Sequence, residues 1–479
     1  MSKYLGFVLV GAMVAFGPGC SDDGGTGGTG GTGGGTGGTA GDGGNGGGGE
    51  VDLCAENGGS GEITFPEEIT QDTFLSADCE YLLSQGVGST FVTSGATVRI
   101  EEGVTVFGEQ EAACIVTKSG RVEAEGSATN PIVFTSAAPE GSRMPADWGG
   151  IVLLGLAKIN RVNPDGCDGT NGECTDTIEG LDPREGRGTF GGNDDAHDCG
   201  TLRYVRIEFA GFTFGLDNEL NTLTLGGCGT GTTLEYIQAH RGEDDGLEFF
   251  GGTADAQYVV VSGTGDDGLD TDQGYSGTIS NAIVHHFAPR SGDPRGIESD
   301  NWSTNNNVAP RTGATFENVT LIGDAQTDQG VVLRRGSFGV IDGGVIVDFA
   351  ASGVDYRDAA WDQAGADAGL TLTNTCMNGN SPDLPTDVNC VSDGEGGSEG
   401  DEDCNDWDML GDVTDEASFF AEDTELAPGV TVVDPGLGDV SGAANGGTPD
   451  YSVSNASCAG AFAPDGTDWT TGWTAYPAN

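Results

Sequence analysis

The chain has 479 residues, enough for one large domain or two to three ordinary ones, and a formal net charge of −58 from 76 acids against 18 bases. That balance excludes nucleic-acid binding, which needs Lys and Arg to neutralise phosphate, and it disfavours bare anionic lipid. Hydrophobic residues make up only 36% while glycine fills 87 positions, so turns or thin repeats must absorb much of the chain.

The first element is an export signal over residues 1–20. Lys3 gives it a basic start, and Tyr4 to Phe16 is an apolar run too short to span a bilayer. The run leads into Gly17-Pro18-Gly19-Cys20. A small residue before a cysteine resembles the bacterial lipobox, in which the cysteine is lipidated and becomes the new N-terminus, although Gly17 and Pro18 depart from the usual pattern. Cys20 is therefore the candidate lipidation site and membrane anchor, with ordinary cleavage nearby as the alternative. Residues 21–50 are rich in Gly and Thr and cannot bury a core. A tether of this kind reaches roughly 30 Å and would hold a folded body off an outer membrane.

From residue 51 the sequence reads as short strands punctuated by glycine. Examples are "ATVRIEEGVTVFG" (96–108), "CIVTKSGRVEAEGSATNPIVFTS" (114–136) and "WGGIVLLGLAKIN" (148–160). A Gly/Asp/Cys-rich insertion fills 163–200. Periodicity then sharpens. Six runs carry a β-branched residue at the fourth position: Val205, Ile237, Val259, Ile283, Val319 and Val345. Each is followed by Gly and an apolar residue, usually then an acid: Gly215-Leu216-Asp217, Gly246-Leu247-Glu248, Gly268-Leu269-Asp270, Gly296-Ile297-Glu298, Gly330-Val331-Val332 and Gly353-Val354-Asp355. Two strands per unit, with the shortest unit running from Ile237 to Val259, predict an all-β fold: a right-handed parallel β-helix, a solenoid whose coils close a core only by stacking. Longer units carry loops that leave the stack at fixed corners. The β-helix is assigned to 51–375. An acidic, irregular, Cys-containing region and an aromatic cap take up 376–479.

Eleven cysteines follow Cys20, which suits disulfides in an exported chain. Cys167 with Cys174 and Cys376 with Cys390 are close enough to staple loops. The odd count leaves at least one thiol unpaired. No C-x-x-C pair, haem motif or zinc-finger spacing occurs.

The strings quoted above, with the continuous stretch from Gly200 to Gly277 and the closing "DWTTGWT", resemble a large family of secreted and lipid-anchored parallel β-helix proteins of Gram-negative bacteria. The resemblance runs in order from about residue 90 to 475, broken by the Cys-rich insertions. It implies the fold and an outer-surface location, and no established reaction.

The functional signal lies in a repeated acidic string. Asp244-Asp245-Gly246-Leu247-Glu248 recurs one short unit later as Asp266-Asp267-Gly268-Leu269-Asp270. Adjacent coils lie about 4.8 Å apart. If Leu247, Leu269 and Ile297 point inward, then Glu248, Asp270 and Glu298 form an outward row about 5 Å apart. Like charges so close need a counter-ion or a raised pKa. Three readings stand open. Calcium takes six to eight hard oxygens, and Asp244, Asp245, Glu248, Asp266, Asp267, Asp270 and Asp272 are the candidate ligands. No EF-hand loop or Gly-rich nonapeptide repeat is present. Glycan binding or cleavage would use Arg241, Arg295, Glu298, Tyr275 and Trp302; a carboxylate pair about 5 Å apart would suit a retaining glycosidase, but no motif fixes a nucleophile, acid and base. The third reading is a solvated acidic face. His240 and His286 are expected at equivalent positions two coils apart with Ser262 between, too far to share a metal. The overall expectation is a cell-surface lipoprotein with a structural, adhesive or glycan-binding role toward extracellular polysaccharide or another cell. The rival is a polysaccharide-degrading lyase or glycoside hydrolase on the same scaffold.

Overall fold

A computed structural model describes residues 49–161, 174–181, 186–215, 218–288, 292, 294–302, 305–356, 369–381, 430–462 and 467–479. The export signal, Cys20, the tether up to residue 48, Cys167, Arg290, Cys390, Cys404 and the acidic stretch 383–425 lie outside the described residues. Among those described, no helix is long and apolar enough to cross a membrane.

The chain winds into a right-handed parallel β-helix. Each coil has three strand segments, not the two expected from the repeat, because in the later coils the third segment runs on from the second through a bend and no turn marks it in the sequence. The first face is a ladder of ten short parallel strands; its middle members are Leu223–Gly226, Leu247–Phe250, Leu269–Asp272, Ile297–Ser299 and Gln329–Leu333. The second and third faces are two separate strands in early coils, as in Arg121–Glu125 and Ile132–Ser136. In later coils they become one long strand with a bend, as in Gly200–Glu208, Thr233–His240 and Ala256–Ser262. The bend sits at a column of residues with positive φ: Tyr204, Tyr236, Tyr258, Asn281, Asn318, Gly343 and Asn374. Strand pairing skips this column in every coil. Asn and Gly accept that conformation at low cost. The three tyrosines stack on one another, with ring centroids 4.2 and 4.5 Å apart.

Inside the coils, alternating apolar residues meet in one continuous core that includes Val205, Ile237, Val259, Ala282, Val319, Leu247, Leu269 and Ile297. Two positions of the expected repeat shift. Ile283 and Val345 do not share the row of Val259; Ala282 and Gly344 do. In these coils the bend residue, Asn281 or Gly343, comes one position earlier in the run than Tyr204, Tyr236 and Tyr258 do, so Ile283 and Val345 point outward. The Gly215-Leu216-Asp217 assignment is also corrected. Gly215 ends the strand Phe212–Gly215, which pairs antiparallel with Asn218–Leu220; Leu216 and Asp217 lie outside the described residues, and Leu223 holds the core position opposite Leu247.

Beyond Val430–Val432, which pairs with the third-face strand at Thr375–Met377, the chain lies along the flank of the stack. It covers the outward side of the third face. A second apolar cluster there joins Val260, Ile283 and Val345 to Tyr451, Val453, Trp473 and Tyr476. Gln238 exchanges two hydrogen bonds with the backbone of Ala475, at 2.7 and 2.9 Å, and the Gly141 N–H donates to the Asn479 carbonyl. A Cys376–Cys458 disulfide ties this segment down, so Cys376 is not paired with Cys390. Cys54–Cys79 closes the N-terminal coil and Cys199–Cys228 joins neighbouring coils. Cys174 is also disulfide-bonded. Cys114 is a free thiol, pushed up to about 12 by burial.

Candidate metal centre on the first face

The outward row of the first face changes character along the stack. It runs Ile115, Val152, Thr224, Glu248, Asp270, Glu298, Val332 and Asp355 in strict register. Over Ile115 and Val152 lies the insertion, whose Cys174, Ile178 and Phe190 form an apolar cluster with Leu154 and Phe250. This wall ends where the acids begin, and Glu248 and Asp270 beyond it are half-buried.

The turn leading into each strand makes a second ladder. The Asp245 N–H donates to Asn221 Oδ1 at 3.2 Å, the Asp267 N–H to Asp245 Oδ1 at 2.9 Å, and the Arg295 N–H to Asp267 Oδ1 at 2.7 Å. The glycine that follows is fixed by space. A Cβ on Gly246 would fall 2.5 Å from the Gly268 carbonyl oxygen and 2.4 Å from Val261 Cγ1; Gly268 is confined in the same way by Val284. Thus Gly and Leu of "DDGL" serve the coil, and only the acids are left over for chemistry.

Those acids converge. Asp244, Asp245 and Asp266 form one triad, Asp245, Glu248 and Asp270 a second, and Asp267, Asp270 and Glu298 a third; within each, one oxygen per residue lies within 4.8 Å of the others. Asp245 and Asp267 are 6% and 3% exposed. Glu248 accepts from Asn221 Nδ2. Asp270 Oδ1 is buried with no hydrogen-bond partner among the described residues. Burial first, and neighbouring carboxylates second, raise the pKa values of Asp244, Asp245, Glu248, Asp267, Asp270 and Asp272. Asp244 is pushed up to about 8, with Asp266 its main charged neighbour, and Asp272 to about 8, with Asp300. Asp245, Glu248, Asp267 and Asp270 lie well above the carboxylate range for the same reasons. A donor set made only of oxygens, dense and held in close triads, fits a hard divalent cation and does not suit soft metals.

The lower end of the row differs. Arg295 Nη1 lies 2.8 Å from Glu298 Oε1 and 3.8 Å from Asp267 Oδ2. Arg334 bonds Glu298, and its Nε reaches Asp300 Oδ1 at 2.7 Å; Arg335 Nη1 meets Asp300 Oδ2 at 2.7 Å. Asn221, Asp300, Arg334 and Arg335 were not expected from sequence. The pair Arg334-Arg335 directly follows a first-face strand, and that placement was the available signal.

Other expected residues fall elsewhere. Trp302 stands at the flank with the Arg161 guanidinium 4.3 Å over its ring, and Arg161 pairs with Asp176 at 2.8 Å. Tyr275 does not line the face: its ring is fully buried against Phe249 and its hydroxyl donates to the Ala254 carbonyl at 2.8 Å. Arg241 also leaves the acids, stacking over Phe287 and donating to the Ala444 carbonyl under the C-terminal segment. His285, not His286, shares the row of His240 and Ser262. His240 meets Ser262 Oγ at 2.8 Å and the Pro477 carbonyl at 3.0 Å, far from the acid row in the fold.

Fold and site together define a parallel β-helix protein with a carboxylate row on its first face. The chain belongs to the pectate-lyase like beta helix domain family, which it matches over residues 67–402. No curated protein matches it. Among solved structures it is similar to the A-module of the mannuronan C-5 epimerase AlgE4 of Azotobacter vinelandii, at 12% identity and a TM-score of 0.28, over 69% of this chain and 81% of that one.

Proposed function

We propose that this protein is an exported, lipid-anchored β-helix that binds extracellular polysaccharide or another cell surface, with calcium held on the first-face acids as a structural ion. The observation that carries the reading is the chain of three carboxylate triads sharing Asp245 and Asp270. Bound calcium would supply charge neutralisation; the protein supplies Asp244, Asp245, Glu248, Asp266, Asp267 and Asp270 as ligands. Export is supported by the disulfides. Anchoring rests on Cys20 and the tether behind it.

The second reading, polysaccharide cleavage on the same face, draws on Arg295 and Arg334 standing directly beside the acids. One experiment separates the two. Asp244, Asp245, Asp266 and Asp267 are changed together to Asn, and melting is followed with calcium and with chelator beside a polysaccharide digestion screen. The structural reading expects calcium to raise the melt of the parent only. If calcium moves neither melt, the ion reading fails. Release of reducing or unsaturated sugar ends by the parent and not the variant selects the enzyme.

A further inference from the structure

The column that bends the long strands changes composition along the stack. In the later coils it is filled by Asn281, Asn318, Gly343 and Asn374, which enter the left-handed region at low cost. In the three coils before them it is filled by Tyr204, Tyr236 and Tyr258, at φ 50°, 58° and 59°. The fold can therefore make this bend without tyrosine, yet three side chains that resist the conformation are held in it. Strained positions of this kind gather where a side chain serves function. The rings lie parallel, their planes 9° and 8° apart and their centroids 4.2 and 4.5 Å apart. All three residues are half-buried. Trp473 stands edge-on to Tyr204 and Tyr236 at 5.9 Å, and Trp469 edge-on to Tyr258 at 5.3 Å. Tyrosines elsewhere differ. Tyr81 and Tyr275 are fully buried and donate to backbone carbonyls, and Tyr451 and Tyr476 meet at 6.4 Å with their planes 57° apart.

We infer that the tyrosine stack is a site of oxidative cross-linking, at which hydrogen peroxide acting through a haem peroxidase joins neighbouring coils as dityrosine. Each phenol gives up one electron and its hydroxyl proton to become a phenoxyl radical. Two stacked radicals, on Tyr204 and Tyr236 or on Tyr236 and Tyr258, form a Cε–Cε bond. Each joined carbon then passes its hydrogen back as the hydroxyl proton, so the two rings together lose two hydrogens. The two electrons and two protons reduce one hydrogen peroxide to two waters. Parallel rings on paired strands need only a tilt of one half-buried side chain to bond, with no change of register. Burial, and then the neighbouring Tyr204, push the Tyr236 phenol up to about 12, so at neutral pH its proton leaves with the electron. The Cys199–Cys228 disulfide already joins the coils of Tyr204 and Tyr236. Dityrosine would be a second tie between them, one that a thiol reductant cannot break.

The test treats the full-length, disulfide-bonded chain at high dilution with lactoperoxidase and a limiting amount of hydrogen peroxide. Dityrosine is read by its fluorescence in the monomer band of a denaturing gel and located by mass spectrometry of the digest. The expected product is a Tyr204–Tyr236 or Tyr236–Tyr258 peptide pair lacking two hydrogens, in a protein that melts higher than the untreated parent, as closing a loop in the unfolded chain predicts. Tyr236→Phe removes the phenol common to both pairs and keeps the stacked ring. It should melt as the untreated parent does and form at least ten-fold less dityrosine in the monomer, whereas Tyr451→Phe should form as much as the parent. The digest of the parent locates the bond whether or not a variant folds. Absence of dityrosine from the monomer, a bond mapped outside the stack, an unchanged yield in Tyr236→Phe, or an unchanged melt in the cross-linked parent would overturn the proposal.

Discussion

Two stretches of the first face share a backbone and differ in how their charge is balanced. In the coils from Asn221 to Asp272, the turn column carries Asp245 and Asp267, and the strand row carries Glu248 and Asp270. One coil further on, the same columns carry Arg295 and Glu298. The hydrogen-bond ladder is unchanged, because backbone N–H groups make it. Yet Glu298 and Asp300 lie against three guanidinium groups, while among the described residues Asp245, Glu248 and Asp270 pair with no Lys or Arg. The fold is therefore indifferent to the sign of these side chains. It leaves each coil to find counter-charge either in a neighbouring arginine or in a cation from solvent.

The largest effect should come from breaking the arginine-balanced coil. Arg334→Met keeps bulk but strips Glu298 and Asp300 of their shared partner. Glu298 is 7% exposed at its side chain and Arg334 18%, so solvent rescues little, and removing one member of a buried pair costs about 3–5 kcal/mol. Urea unfolding in chelator would show it. Calcium should restore part of the loss in the variant, because the coil would then resemble the ones above. A variant as stable as the parent would show that the arginines are not its counter-charge.

Calcium itself comes next. At a concentration 100-fold above its dissociation constant, an ion bound only by the folded state adds about 2.7 kcal/mol. Its sign against pH follows from the raised carboxyls. Asp244 and Asp272, at about 8 when folded against 3.8 for the ordinary group, favour folding fully below 3.8; that stability is lost as pH rises through 8. The calcium-free protein should lose stability between pH 4 and pH 8, and the increment from calcium should grow over the same range. His240 and His285, held near 3 by burial, act in the opposite direction: their contribution is full above 6.5 and lost as pH falls toward 3. Thermal melts at pH 5 and pH 8, with calcium and with chelator, check both. A calcium increment larger at pH 5 would contradict the assignment of these acids.

Converting one region into the other gives a smaller effect of opposite sign. Asp270 belongs to two of the three triads. Asp270→Arg places a guanidinium between Glu248 and Glu298, as Arg295 stands between Asp267 and Glu298. Charge-assisted hydrogen bonds of this kind contribute about 2 kcal/mol. The variant should melt higher than the parent in chelator and gain less from calcium.

The acid-rich region was the legible one. Its two coils follow each other at the shortest spacing among the six repeated runs with no insertion between them, so Asp245 over Asp267 and Glu248 over Asp270 could be aligned from sequence alone. The arginine-balanced coil was hidden by loops. Longer and unequal segments separate Asp270 from Glu298 and Glu298 from Val332, so no fixed period pointed to Arg334. The bend column explains the slips at Ile283 and Val345. A residue that turns the chain counts in sequence and pairs with nothing, so a fixed offset fails wherever it falls one place earlier, as Asn281 and Gly343 do. Tyr275 misled for a different reason. An aromatic beside an acidic strand is not marked as inward until the turn Asp272–Gly274 places it under Phe249.

The smallest effect is expected where pairs resemble those of the Arg334 coil in chemistry and not in burial. On the second face Arg99 pairs with Glu123 at 2.9 Å, with side chains 48% and 27% exposed, and Arg203 pairs with Glu125 and Glu235 at 2.8 Å on the same surface. These pairs also bridge adjacent coils, and drawn as contacts they look as strong as those of Arg334. Water competes for every group in them, and holding two long side chains in one geometry costs rotamer entropy. Exposed pairs are therefore worth about 0–1 kcal/mol, and Arg99→Ala should shift the urea midpoint by less than about a third of the Arg334→Met effect. It should leave the calcium increment untouched, since Glu123 freed in water needs no ion. A large loss at Arg99 would mean that cross-coil pairing itself holds the stack together, and that burial is not what separates the two regions of the first face.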